Sequence, residues 1–412
     1  MWYRSPAVIL ALLLVSVLGA GPARADDFRL LPSITEELQY NDNVLISPTD
    51  RLSDFLSVTT GGLQLTDKTE RMNLDVSAGA TWNAYRRNTT FDSRGYRGSA
   101  QIGYLLNPRL QVSGQFSYMD DSQPDQELQT TGLVLDGVRR TNITADASAV
   151  YNFSEKTAGS LLYGHGAVRY DSQRFSDLNY DTATFGLTHD LSRFLRNTKA
   201  TFNAAYARYS TADLDVENYE ARVGLNHALH EKWSISVNGG VRRTDSTFDQ
   251  VTLLGFAPVF VDGFFGFVPV FGRERESRVS WGGVGEVALS YQGELTDGTF
   301  AASQDIEPAS GRGGTVERTA FTFSLGRQLS YEFRSRLAVE YFINSSKGNE
   351  FATIPTNTRT LNIRPSVRYD FNRDMFVEGS YTFTKLDDRE AGQTAYRNLF
   401  MVRFFLQHPF LE

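Results

Sequence analysis

Residues Thr198–Asp245 read TKATFNAAYARYSTADLDVENYEARVGLNHALHEKWSISVNGGVRRTD. Ala200, Phe202, Ala204 and Tyr206 are apolar, with Thr201 and Asn203 between them. After a polar break at 213–215, Tyr219, Ala221, Val223 and Leu225 alternate with Asn218, Glu220, Arg222 and Asn226. A very short break at 230–232 follows, and then Trp233, Ile235, Val237 and Val241 alternate with Ser234, Ser236, Asn238 and Arg242. Alternation with period two puts successive side chains on opposite faces of a strand, so this is an antiparallel meander with one greasy and one polar face. The segments run on the order of ten or more residues, the length a tilted strand needs to cross a bilayer. Apolar-out, polar-in segments of that length, separated by turn residues, are the signature of a transmembrane β-barrel.

The pattern repeats along the chain. Met72, Leu74, Val76, Ala78, Ala80 and Trp82 oppose Asn73, Asp75, Ser77, Thr81 and Asn83. Tyr96, Ala100, Ile102 and Tyr104 form the greasy face of the next segment, and Asn107-Pro108 closes it with a strong turn signal. Continued to the C-terminus, the reading predicts an all-β, up-and-down antiparallel barrel of about 18 strands. Every second connection is short, near 67, 107, 155, 195, 231, 296, 332 and 373. The others are mostly longer, near 47, 128, 260, 310 and 351. Short periplasmic turns alternating with longer extracellular loops, on an even strand number, place both termini in the periplasm. The last strand carries Phe400, Val402, Phe404 and Leu406, and the chain ends soon after Phe410.

The N-terminus agrees with export. Arg4, an apolar run from Ala7 to Leu18 and the small-x-small triplet Ala23-Arg24-Ala25 have the layout of a secretory signal peptide over residues 1–25. One domain, 26–412, remains. Without Arg4 and Arg24, Lys+Arg falls from 41 to 39 against 48 Asp+Glu, a net charge of −9 that argues against nucleic-acid binding. The chain has no cysteine, which excludes disulfides, thiol nucleophiles and covalently attached c-type haem.

The run Ser33-Ile34-Thr35-Glu36-Glu37-Leu38-Gln39-Tyr40-Asn41-Asp42-Asn43-Val44 resembles the opening of the β-barrel porin 2 family, whose members begin with a strand ending in a Tyr-x-Asp-Asn-Val type corner. Members of that group accompany exopolysaccharide and exosortase-linked gene clusters of Gram-negative bacteria. The resemblance implies an outer-membrane barrel for polymer export, with an exopolysaccharide chain, periplasmic export components and outer-membrane lipids as partners. Asn41-Asp42-Asn43 itself reads as a polar hairpin corner rather than a calcium site.

A barrel of this size is too wide for side chains to fill, so its polar face lines a lumen. The inward-assigned cations are Arg97, Arg169, Arg222, Arg242, Arg318, Arg336, Arg364, Arg368 and Arg403. The inward acids are Asp75, Asp146, Glu220, Glu286, Glu340, Asp370 and Glu378. Such charges tune the selectivity of a pore, and arginine suits carboxylates; the same residues also suit ion pairs that brace the wall. The segment 248–272 is read as an extended, aromatic-rich extracellular loop with an Asp262-Gly263 turn. Its Phe256, Phe260, Phe264, Phe265, Phe267 and Phe271 form a constriction or lid, rest on the outer leaflet or pack on neighbouring loops. His165, His189, His227, His230 and His408 sit singly, so no catalytic residue, metal or cofactor is assigned. The expected function is a passive conduit for exopolysaccharide. The alternatives are a solute porin and a docking barrel around a periplasmic electron carrier.

Overall fold

The alternation becomes eighteen strands in the computed structural model: β1 (Asp27–Asn41), β2 (Asp54–Lys68), β3 (Met72–Tyr85), β4 (Ser93–Asn107), β5 (Leu110–Asp121), β6 (Arg140–Ser154), β7 (Thr157–Tyr170), β8 (Leu178–Asp190) and β9 (Thr198–Ser210) in the first half. The second half holds β10 (Leu214–His230), β11 (Trp233–Val261), β12 (Phe264–Gln292), β13 (Thr296–Pro308), β14 (Thr315–Gln328), β15 (Phe333–Ser346), β16 (Thr356–Asp370), β17 (Met375–Asp388) and β18 (Gln393–Gln407). The structure describes residues 27–122, 138–173, 175–212, 214–261, 264–308, 315–346 and 355–410. The expected signal peptide and the Asp262-Gly263 turn lie outside the described residues. Each strand pairs antiparallel with its neighbours in the chain, and β1 pairs with both β2 and β18, so the sheet closes. Closure removes the unpaired edges that an open sheet would leave at β1 and β18. Among the described residues no helix is long and apolar enough to cross a membrane.

Register assigns the faces. On the exterior Leu38, Trp82, Tyr96, Phe185, Val223, Val241, Phe323 and Val402 are exposed, an apolar surface no water-soluble sandwich would present. Aromatic pairs belt both ends of this surface: Tyr40 with Phe55, Tyr206 with Tyr219 and Tyr381 with Phe400 at one end, Trp233 with Tyr291 and Phe333 with Tyr369 at the other. Two clusters of polar groups on the exterior are partnered internally. Glu36 accepts hydrogen bonds from Ser57 and Thr59, and Asp181 meets His165 and Tyr163. The end where β1 begins and β18 finishes is connected by short turns such as 108–109, 155–156 and 231–232, and the opposite end carries longer connections such as 42–53 and 122–139. The expected parity and strand number hold.

The Tyr40–Val44 corner closes the wall. Asp42 accepts from the Asn398 backbone and side-chain amides at 2.6 Å each, and the buried Asn43 amide donates to the carbonyls of Ser47 and Tyr396. The loop thereby carries the β1–β18 seam past its last ladder pair, Asn41↔Leu399.

Two stretches depart from the expectation. The segment read as an aromatic loop is a continuation of β11 and β12, each 29 residues long. β10 leaves β11 at Leu214↔Phe248, while the β11–β12 ladder runs on to Val261↔Phe264. From Asp249 onward this two-stranded ribbon reaches about 40 Å beyond its neighbour. Both its strands are edges, where Pro258 and Pro269 are tolerated. A bulge at Leu254 is accommodated by Gly255 at φ 151°, a conformation that favours glycine.

The second departure is at β13. The β12–β13 ladder ends at Gly285↔Gln304, whereas β13 stays paired to β14 as far as Pro308↔Thr315. Ile306 and Glu317 have the parity of the outward-facing Phe300, Phe321 and Phe323, yet Ile306 is buried and Glu317 Oε2 lies 3.1 Å from Nη2 of Arg242, a residue of the inner face of β11. The tip of the β13–β14 hairpin has therefore turned into the lumen, and its outer face lies on the inner wall of β11.

Candidate functional site

Because inner-facing positions recur every second residue, each strand delivers a column of side chains to the lumen. On β2 to β6 the columns are hydroxyls and amides, cross-linked by Thr60 with Thr81 (2.9 Å), Ser77 with Ser99 (2.7 Å), Ser113 with Ser148 (2.6 Å) and Gln64 donating to Asp75 (2.7 Å). This wall is polar, and its inward charges, Asp75, Asp121 and Asp146 against Arg97 and Arg140, nearly balance.

The inner columns of β14 to β18 differ. Arg318, Arg334, Arg336, Arg364, Arg368, Arg397 and Arg403 face inward, against Glu340, Asp370, Glu378 and Asp388. Seven cations against four acids leave this wall at +3, in a chain whose net charge is negative. Arg403 Nε lies 2.7 Å from Glu37 Oε1 across the seam, and Asp370 receives Arg368 at 2.6 Å and Arg334 at 3.5 Å. Arg368 also stacks over Phe376, 3.6 Å from the ring centroid. Near the short-turn mouth, Arg334, Arg336, Arg368 and Glu378 line a recess of about 430 Å³. Water reaches these groups, and their planar guanidinium forks suit carboxylates.

The inward-turned tip makes a charged contact with the wall. Arg222 Nη2 lies 2.6 Å from both Glu220 Oε2 and Asp305 Oδ2, so it ties the β10 wall to β13. Arg242 donates to Thr244, which donates to Asn218, while Gln304 donates to Glu317 at 2.7 Å. Asp305, Glu307, Arg318 and Glu340 share a second recess of about 300 Å³ with Phe342. Beside it, Val168, Leu178, Tyr209, Leu214, Val216 and Phe248 form a buried apolar cluster on the inner face near the long-loop end.

Of the residues singled out by alternation, Arg97, Arg222, Arg242, Arg318, Arg336, Arg364, Arg368 and Arg403 lie on the inner face, as do all seven acids. Arg169 does not. It shares the outer parity of Leu161 and Tyr163 and lies 3.7 Å from Asp177, near the rim beyond the aromatic belt, where an outward charge meets water or headgroups. Arg222, Arg242 and Arg318 come together at the inward tip, and Arg336, Arg364, Arg368 and Arg403 on the basic wall. Phe256, Phe267 and Phe271 are 63, 65 and 61% exposed on the protruding ribbon. Phe260, Phe264 and Phe265 are placed there by backbone pairing alone. Among the described residues it is the β13–β14 tip, not this segment, that narrows the lumen. Sequence reasoning missed Asp305, Glu307 and Glu317, because nothing local marks them as meeting the inner wall of β10 and β11.

No family profile matches the chain, and no curated protein matches it. Among solved structures, it is similar to OpdK of Pseudomonas aeruginosa crystallised with vanillate, at 7% identity over 93% of this chain and 99% of that one, TM-score 0.47. It is similar to OccAB1 of Acinetobacter baumannii, at 9% identity over 94% and 98%, TM-score 0.46. The alcaligin outer-membrane receptor FauA of Bordetella pertussis matches at 10% identity over 92% and 76%, TM-score 0.43. Identity of this order assigns no role to any residue here.

Proposed function

We propose that the protein is a passive outer-membrane channel for small hydrophilic anions. The observation that carries this reading is the wall of β14 to β18, whose inner columns hold three more cations than acids. An anion moving along it exchanges hydration for successive guanidinium forks. The apolar exterior with its two aromatic belts, closed by the seam of β1 and β18, supports an integral position in the outer membrane.

Export of an acidic polysaccharide is the second reading, and the Tyr40–Val44 corner supports it through the family it resembles. The same arginines would serve a uronic-acid chain. The inward tip held by Arg222 and Arg242 favours small solutes, since a polymer of sugar rings needs a continuous wide bore.

The test is reversal potential in planar bilayers under a potassium chloride gradient, with the refolded protein and no partner. Anion-selective conductance supports the channel; cation selectivity refutes the role given to the arginine wall. Silence would instead favour a docking barrel that encloses a periplasmic partner.

A further inference from the structure

A barrel wall needs a partner for every strand edge, because an unpaired backbone group facing hydrocarbon costs several kcal/mol. Here β12 is hydrogen-bonded to β13 only from Gly285 to Gln292. Above Gly285 β12 continues, paired on one edge to β11, while β13 turns into the lumen. Among the described residues no strand occupies the second edge of β12 beyond Gly285. The wall therefore parts between β12 and β13 at the level of Gly283, Trp281 and Val279.

Three further observations converge there. The exterior beside the parting is strongly apolar, with Trp281 70% exposed and Val279 and Val241 exposed next to it. Trp281 pairs with Arg243, which pairs with Tyr219 of the aromatic belt, so the parting begins just inside the belt, at the depth of the outer leaflet. The ribbon that rises from this same β12 edge exposes Leu254, Phe256, Phe267 and Phe271. On the lumen side the chemistry is the opposite. The Arg242 guanidinium lies across Gly282, where a side chain on the glycine would displace it, and reaches Glu317 and Thr244.

We propose that the parting between β12 and β13 is a lateral portal, admitting a single-chain anionic amphiphile from the outer leaflet with its tail against Val279 and Trp281 and its carboxylate toward Arg242. It requires the membrane placement proposed above but not the conductance. Glu317 holds Arg242 until the carboxylate of the amphiphile replaces it, and no bond is made or broken. The glycines keep the passage clear: a Cβ built on Gly283 meets nothing within 4 Å.

The probe is dodecanoate bearing a diazirine on its tail, in liposomes containing the refolded full-length barrel. Gly283 and Ile306 would oppose one another had the ladder continued two more residues, and the chain has no cysteine of its own. The double variant Gly283→Cys/Ile306→Cys is compared before and after cross-linking with a short bismaleimide. Photolabelling of the β12 segment 276–285 is expected to fall at least fivefold on cross-linking, and an excess of dodecanoate but not acetate is expected to compete. Equal labelling before and after, or competition by acetate, overturns the portal and points to entry from water through the mouth. Spontaneous, complete disulfide formation between the two cysteines also overturns it, because that bond needs Cα atoms within about 7 Å. Gly283→Phe, which fills the parting without cysteines, is expected to reproduce the loss in a barrel that still conducts ions. Ion current in the same membranes reports on the channel separately, so either reading can fail alone.

Discussion

Replacing Arg222 by alanine removes the link between the β10 wall and the inward tip. The guanidinium lies 2.6 Å from a carboxylate on each side, with 20% of the arginine side chain exposed. Breaking a fully buried pair costs about 3–5 kcal/mol, and an exposed one about 0–1 kcal/mol. At this intermediate exposure we expect about 2 kcal/mol, most of it from Glu220 and Asp305 left facing one another. At 1.4 kcal/mol per decade this shifts the balance between docked and released tip by roughly 30-fold. The assay is single-channel recording: Arg222→Ala is expected to show larger mean conductance, or frequent steps to a larger level. Arg222→Lys should fall between, since an ammonium restores the charge without the fork. In Arg222→Ala/Asp305→Ala the loss should be less than the sum of the single changes. A variant that conducts as quietly and at the same level as the parent would refute the reasoning, because the tip would then be held by other contacts or would not limit the bore.

Changing Arg364 and Arg368 together to glutamate takes the β14–β18 wall from +3 to −1, and reversal potentials should show anion preference lost or inverted; unchanged selectivity would move the filter elsewhere. Asn43→Ala leaves the carbonyls of Ser47 and Tyr396 without their donor and is expected to cost about 1–3 kcal/mol, read as a lower temperature for loss of the folded band in detergent electrophoresis. An unshifted temperature would show the seam does not depend on the corner. Deleting Ala257–Val270 shortens a ribbon that stands beyond the wall, so folding and ion conductance should be preserved; a large rise in conductance would show that the ribbon covers the mouth. Gly166→Ala puts a methyl into the Tyr180 ring on the inner face, and thermal unfolding should show a destabilisation of about 1–3 kcal/mol; a melting point equal to the parent's would mean that the ring moves aside freely.

The wall was legible from residues because its information is local. Met72 to Trp82 and Phe400 to Leu406 each state which side faces out, and the pairing agrees with them. The same rule assigned the arginine wall, since Arg336, Arg364, Arg368 and Arg403 follow the alternation of their own strands. It failed for Arg169, which stands at a strand end: polarity there marks the rim, where charge is tolerated on both faces. It failed again for 248–272, where the run of Phe, Val and Pro hid a ladder that a two-stranded ribbon forms without a third strand to support it.

By itself the sequence determined a closed, alternating wall of about eighteen strands with short and long connections at opposite ends, because side-chain direction in a strand reverses at every residue and one face had to be apolar. Only the tertiary structure decided where β13 leaves β12, that its tip turns inward, and that Arg222 and Arg242 meet Asp305 and Glu317. Those partners lie 83 and 75 residues apart in the chain. Which way a hairpin leans is set by the packing of one sheet face on another, and no local pattern of residues encodes it.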